Sequence, residues 1–282
     1  MLPLRLLLRI CLQPTFKEDA MNKRLKALLL TAVLAVAPLS VAVASTSSYP
    51  KAPIDLRDQA SLQRGAQIFM NYCSGCHAAS SVRYNRLVDI GLTEDQIKTN
   101  LIFDPNAKIG DTIRSAMDSN DAKVWLGVAP PDLSLMARSR GADYLYAYMR
   151  GFYQDPTRPT GWNNTVFDKA GMPNILWEQG GIQAVELDEN GMPVWETDEH
   201  GVNVPKLKWV AGGLHTTVTN GTANTEEFDN YVRDLVNFMV WMGEPVQQSR
   251  KQIGYFVLLF LLLVLLPLTY FLKKEYWKDV EH

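Results

Sequence analysis

One pentad, Cys73-Ser74-Gly75-Cys76-His77, constrains this 282-residue chain more than any other feature. The C-x-x-C-H spacing is the attachment pattern of a c-type haem. Two thiols on one helical turn can each form a thioether to a vinyl group of the same porphyrin, and the adjacent imidazole then lies under the iron. Other chemistries use parts of the pattern. A redox dithiol needs C-x-x-C but not the histidine, and usually follows a strand. A zinc site needs two further ligands. Outside the pentad the chain offers only Cys11 and the scattered His200, His215 and His282. The pentad therefore reads as a site for one covalent haem c, with Cys73 and Cys76 as attachment points and His77 as an axial ligand.

The flanking segments say where such a chemistry takes place. Residues 21–44 read as a secretory signal: Lys23, Arg24 and Lys26 form a basic start, an apolar run follows from Ala27, and Ala42-Val43-Ala44 gives a small-x-small cleavage pattern. An uncleaved amino-terminal anchor is the competing reading. Met21 is then the expected initiator, and residues 1–20, with Cys11, an extension ahead of it. Export matters because c-type haem is attached outside the cytoplasm in bacteria. At the other end, Ile253 to Leu272 carries no charge. About twenty apolar residues cross a bilayer core. Tyr255, Tyr270, Tyr276 and Trp277 lie near the two ends, where aromatic rings favour the interface. Pro267 is compatible with a spanning helix. The basic flanks, Arg250 and Lys251 before the span and Lys273, Lys274 and Lys278 after it, set orientation only weakly. The signal sets it instead: a haem domain at 45–250 in the periplasm, an anchor at 251–273 in the bacterial inner membrane, crossed once, and a cytoplasmic tail at 274–282.

The central segment is long enough for one core. It holds 18 Lys and Arg against 25 Asp and Glu, a net of −7. That balance argues against nucleic acid and allows a basic partner. Glu186, Asp188, Glu189, Glu196, Asp198 and Glu199 cluster within it, as a solvated face or as a docking site.

Local patterns predict mostly helix and loop. Leu62, Ala66 and Phe69 fall on one face of a helix over 60–72, and Gly65 on it would let another helix approach closely. Thr93 caps a short helix to about Leu101, with Glu94 and Asp95 in its first turn. Pro130-Pro131 opens a stiff turn. Residues 141–152 look helical, and 153–176 read as a long loop. A hairpin is expected from Gln183 to Trp195 around Asn190-Gly191. Asn224 and Glu227 suggest a capping box for a helix to Met242, with Tyr231, Leu235, Phe238 and Trp241 or Met242 along its apolar stripe. Gly243, Glu244 and Pro245 stop it. The fold class is mainly α, with long loops, a small β-hairpin and one C-terminal transmembrane helix; around its pentad the haem domain resembles a class I cytochrome c-like fold.

An iron held by His77 has a sixth position. Methionine there raises the potential and suits electron transfer, whereas an open position suits gas or peroxide chemistry. Met70 is too close to the pentad to reach the opposite face. Met239 and Met242 lie on the closing helix, where core filling is the expected role. Met172 and Met192 both sit in Gly-Met-Pro, which holds a loop extended. Met192 is surrounded by carboxylates. Met172 precedes Ile175, Leu176 and Trp177, which could shield a haem face, so the residues favour Met172.

Beyond single motifs, the chain resembles the cytochrome c1 family, the membrane-anchored haem subunits of quinol–cytochrome c reductase (the cytochrome bc1 complex), in its bacterial form. The resemblance covers nearly all of 45–282. It is carried by R-G-A-Q-I-F-M-N-Y-C-S-G-C-H (64–77), Y-N-R-L (84–87), P-P-D-L-S (130–134), A-R-S-R-G-A-D-Y (137–144), G-W-N-N (161–164), G-M-P-N (171–174), W-M-G-E-P (241–245) and the terminal span. It implies that Met172 is the second axial ligand, that Arg138 pairs with a haem propionate, and that Pro131 and Tyr144 line the haem. One departure is local: many members carry Ala-Pro-Pro after the ligand methionine, and this chain has Pro-Asn-Ile. The implied role is electron relay from a Rieske iron–sulfur protein to a soluble or membrane cytochrome c, beside cytochrome b, with no catalysis by this subunit alone. A different membrane-tethered monohaem cytochrome, such as an oxidase subunit or shuttle, is the runner-up. A haem peroxidase usually carries a second haem motif, and a purely structural anchor has no use for the pentad.

Overall fold

The computed structural model describes residues 49–197, 201 and 203–279. The signal reading at 21–44, the extension at 1–20, and Asp198, Glu199 and His200 lie outside the described residues. Helix α1 (Gln59–Ile68) runs into a π-helical turn, Phe69–Cys73. Strand β1 (Ala79–Arg83), a 3₁₀ segment (Tyr84–Ile90), α2 (Glu94–Asn100), β2 (Thr112–Ile113), α3 (Ser119–Leu126), α4 (Met136–Arg140) and α5 (Ala142–Arg150) follow. Next come β3 (Phe152–Gln154), β4 (Trp162–Asn164), α6 (Trp177–Gly180), β5 (Ile182–Val185), β6 (Trp195–Thr197), β7 (Asn203–Pro205), β8 (Leu207–Ala211), β9 (Thr217–Thr219) and β10 (Thr222–Asn224). The long α7 (Glu226–Gly243) closes the domain, and α8 (Gln247–Phe260), a π segment and α9 (Leu266–Tyr276) form the tail.

The core is the crossing of α1 with α7. Leu62, Ala66, Phe69, Val232, Leu235, Phe238 and Met242 are buried, and the Phe69 and Phe238 rings meet at 5.7 Å between centroids. Gly65 makes the crossing possible. A Cβ there would overlap the Asp234 carbonyl oxygen and stand 2.7 Å from Phe238 Cβ, so only glycine lets the backbones come this close. Beside this contact the Asp234 carboxylate is buried and fully engaged. It accepts from Ser61 Oγ at 2.6 Å, Arg64 Nε at 2.5 Å and Arg233 Nη2 at 2.9 Å. Burial pushes its pKa up, but the bonds from Arg64, Ser61 and Arg233 outweigh that, and it rests below the usual carboxylate value.

The expected helices are present, with adjusted ends. Thr93 caps α2, and Gln96 completes a reciprocal capping box: Gln96 N donates to Thr93 Oγ1 at 3.2 Å and Thr93 N to Gln96 Oε1 at 2.8 Å. The predicted 141–152 helix ends at Arg150, since Gly151 and Phe152 turn into a strand. The box expected at Asn224 and Glu227 does not form. Asn224 is the last residue of β10, Thr225 is the cap position, and the Phe228 N–H is satisfied by the His215 carbonyl at 3.1 Å. The loop at 153–176 contains the antiparallel pair β3–β4.

The β-hairpin is narrower than expected and differently partnered. Its turn is in place: Gly191 has φ +76, Leu187 bridges Pro193, and Val194 N donates to Glu186 O at 2.9 Å. The strand before it pairs elsewhere. β5 joins β3 in parallel and β8 antiparallel, in a four-stranded sheet of order β4-β3-β5-β8, while β6 pairs with β7. Leu207–Ala211, whose burial alternates along the strand, takes the place beside β5, with a register shift between Ile182 and Gln183.

The tail forms one 30-residue helix, Gln247–Tyr276, whose most apolar 18-residue stretch has a mean hydropathy of 2.6 and is not buried in the protein. Length and exposure both suit a single bilayer crossing. Its π segment, Leu261–Leu265, ends where Leu266 N bonds back to Leu261 O, just before Pro267, which has no N–H to donate.

Candidate haem site

The pentad leaves α1 through the π turn, where Ser74 N bonds back to Phe69 O at 3.0 Å. Such single π turns recur at functional positions because they rotate the following residues off the helical register. The turn is closed by His77 N to Cys73 O at 2.8 Å and Ser74 Oγ to Met70 O at 2.7 Å. Ser115 Oγ holds the Gly75 carbonyl at 2.9 Å from the other side. Cys73 and Cys76 are both free thiols. Burial, helped by the nearby Cys76, pushes the Cys73 thiol up to about 12. Among the described residues no group of His, Cys, Asp and Glu gathers in a way that could hold a metal ion by itself.

His77 is buried, and its Nδ1 lies 2.7 Å from the Pro131 carbonyl oxygen. A carbonyl can only accept, so Nδ1 carries the proton and Nε2 keeps its lone pair. Burial lowers the His77 pKa, with the Pro131 carbonyl and the Asp132 charge pulling the other way. The imidazole is therefore held neutral and in the tautomer an axial ligand needs. This bond also gives Pro131 a defined part beyond lining a surface.

Met172 lies on a loop built by the G-W-N-N segment. Asn163 and Asn164 are buried. Asn163 Oδ1 accepts from the amides of Asn164 at 2.9 Å and Lys169 at 2.8 Å, while its Nδ2 donates to Asp155 and Asp168. Asn164 Nδ2 donates to the Tyr148 carbonyl at 2.7 Å. Gly171 sits against the end of α3, where a Cβ would be 2.9 Å from Val128 Cγ1. Met172 itself is half-buried and packs on the core, with Leu176 fully buried just beyond it. Met192 is 62% exposed in the hairpin turn. Met70, Met239 and Met242 are buried in the core. His215 stacks on Tyr231 at 4.9 Å, away from the pentad in sequence and engaged with Glu227 at 3.6 Å.

Arg138, on α4, has an exposed side chain whose Nη1 bonds Glu244 Oε2 at 2.9 Å, and Arg250 bonds the other Glu244 oxygen. A propionate at Arg138 would share the guanidinium with Glu244. Tyr144 is half-buried, edge-on to Tyr49 at 5.6 Å and stacked with Tyr148 at 5.9 Å. Two concavities, of about 510 and 380 Å³, are lined by none of the residues expected at the haem. The donor set fits a haem: two unpaired thiols, a neutral imidazole with a free Nε2, and a thioether on a braced loop. Composition alone did not single out Asn163, Asn164, Asp132 or Ser80, which brace the two loops. Their signal was the short polar runs N-N and P-P-D-L-S beside apolar neighbours.

The cytochrome c1 family model matches residues 50–280. The chain is 43% identical to cytochrome c1 of Allochromatium vinosum over 91% of its own length and 100% of the relative's. It is 45% identical to a protein of Nitrosomonas europaea named ammonia monooxygenase gamma subunit, over 82% of this chain and 88% of that one. Cytochrome c1 of Rhodospirillum rubrum is 32% identical over 80% of this chain and 84% of its own.

Proposed function

The chain belongs to the cytochrome c1 family, the haem subunits of the cytochrome bc1 complex, and from that premise we propose that it relays electrons from the Rieske iron–sulfur protein to a soluble or membrane cytochrome c. The observation that carries the proposal is the His77 Nδ1 to Pro131 carbonyl bond beside two free thiols, since it prepares one nitrogen for an axial bond. When bound, haem c supplies a one-electron couple. Cys73 and Cys76 would hold it by thioethers, and His77 and Met172 would bind its iron. Arg138 would neutralise a propionate, and Pro131 and Tyr144 would cover the ring and exclude water. Because His77 is held by its bond to Pro131 and the loop of Met172 is braced by Asn163 and Asn164, little in the protein needs to move between redox states. The subunit makes and breaks no substrate bonds; oxidation of quinol belongs to cytochrome b and the iron–sulfur protein.

The Gln247–Tyr276 helix supports a single membrane anchor, and the signal reading supports a periplasmic haem domain with the tail after the span in the cytoplasm. The relative named as an ammonia monooxygenase subunit gives a second reading, in which the same haem domain serves a monooxygenase. Purification from detergent-solubilised membranes separates the two. Co-purification with cytochrome b, and a c-type absorption band that appears on adding quinol, is the expected result. A c-type band that quinol does not reduce, in a complex lacking cytochrome b, would overturn the reductase assignment.

A further inference from the structure

The segment after the pentad and the P-P-D-L-S segment are laced together around one side chain. Leu133 N donates to Ala78 O at 2.8 Å. The Asp132 carboxylate takes Ser80 N at 2.8 Å and Ser80 Oγ at 2.6 Å on Oδ2, and Ser134 N at 2.8 Å on Oδ1. Ser134 Oγ in turn accepts from Ser81 N at 3.0 Å. Between these bonds lies the Pro131 carbonyl, 2.7 Å from His77 Nδ1. Proline has no N–H of its own to anchor it, so the position of its carbonyl depends on what holds the next residue.

We infer that Asp132 is a positioning residue for the haem iron: its carboxylate clamps P-P-D-L-S to the chain following His77 and so fixes the carbonyl that orients the axial imidazole. This rests on the haem reading above. Outer hydrogen-bond partners of a ligating histidine set its ring orientation and raise its basicity, and their loss is strongly felt at the metal. A more basic imidazole favours the ferric state. So does a carboxylate charge nearby, and burial and hydrogen bonding leave that charge in place: burial pushes the Asp132 pKa up, and the bonds from Ser134 and Ser80 bring it below its ordinary value. The clamp should therefore hold the haem potential down while Met172 pulls it up.

Asp132→Asn keeps the shape but presents an amide NH₂ to donors, so either Ser80 or Ser134 loses its acceptor. Ser80→Ala removes one bond without changing charge. Both are read in the detergent-purified holoprotein by redox titration and by solvent exchange of the His77 Nδ1 proton in NMR. Asp132→Asn should shift the ferric-to-ferrous ratio at fixed poise about tenfold toward ferrous, about 59 mV for a one-electron couple. Ser80→Ala should move it in the same direction by less, and both should speed Nδ1–H exchange. If Asp132→Asn does not accumulate, Ser80→Ala decides alone. Wild-type potentials and exchange rates in the variants, with only the melting temperature lowered, would reduce Asp132 to a loop staple and overturn the inference. Haem staining of the wild-type chain on a denaturing gel separates the two failures, because a chain without covalent haem sinks the haem reading instead.

Discussion

Gly65→Ala should loosen the crossing that delivers the pentad. The added Cβ would overlap the Asp234 carbonyl oxygen and lie 2.7 Å from Phe238 Cβ. Neither atom can swing aside by a rotamer change, so α1 and α7 must separate or tilt. Overpacking a core costs about 1–3 kcal/mol, and a clash with backbone belongs at the upper end. Alanine returns about 1 kcal/mol through helix propensity. The net loss is then about 2 kcal/mol, which for a domain of this size lowers the melting temperature by about 4–8 °C. The assay is thermal unfolding of the purified protein followed by circular dichroism. Gly254→Ala is the control, because nothing lies within 4 Å of a Cβ there and the helix is exposed. A Gly65→Ala protein as stable as the control would refute the close-approach reasoning.

Met172→Leu should lower the haem potential by removing the thioether, whereas Met192→Leu, at an exposed turn, should leave it unchanged; redox titration of each variant checks this. A chain ending after Arg250 should appear in the soluble periplasmic fraction with haem attached, because every proposed ligand lies upstream of the span; retention after carbonate washing would mean a second anchor. Asp234 should make the fold acid-sensitive. Its folded pKa lies below its unfolded value, so its contribution is complete above the unfolded pKa near 3.9 and is lost as pH falls through the folded one. In Asp234→Asn that acid limb should flatten, and stability at neutral pH should drop, as measured by denaturant midpoints across pH.

What the sequence made legible was what depends on local spacing. The pentad, the Thr93 cap, the glycine on α1 and the apolar tail are all set within a few residues, and each has its expected local structure. Partner choice between strands was not local. Gln183–Val185 was free to pair with the nearby return strand or with Leu207–Ala211, and it pairs with the latter. Asn224 and Glu227 matched a capping box, but Asn224 ends a strand and its Oδ1 accepts from Glu226 N instead, while the His215 carbonyl accepts from Phe228 N. The bracing of the site was hidden for the same reason. Asp132 meets Ser80, and Asn164 meets the Tyr148 carbonyl, only after the chain folds back on itself.

The central claim is that one haem is bound covalently through Cys73 and Cys76. Trypsin cuts after Arg64 and Arg83 and releases residues 65–83, which contain the whole pentad. Mass spectrometry of that peptide from membrane-purified protein should find it heavier by one haem, with neither cysteine open to alkylation. A peptide at its bare mass, with two alkylatable thiols or one disulfide, would contradict the account.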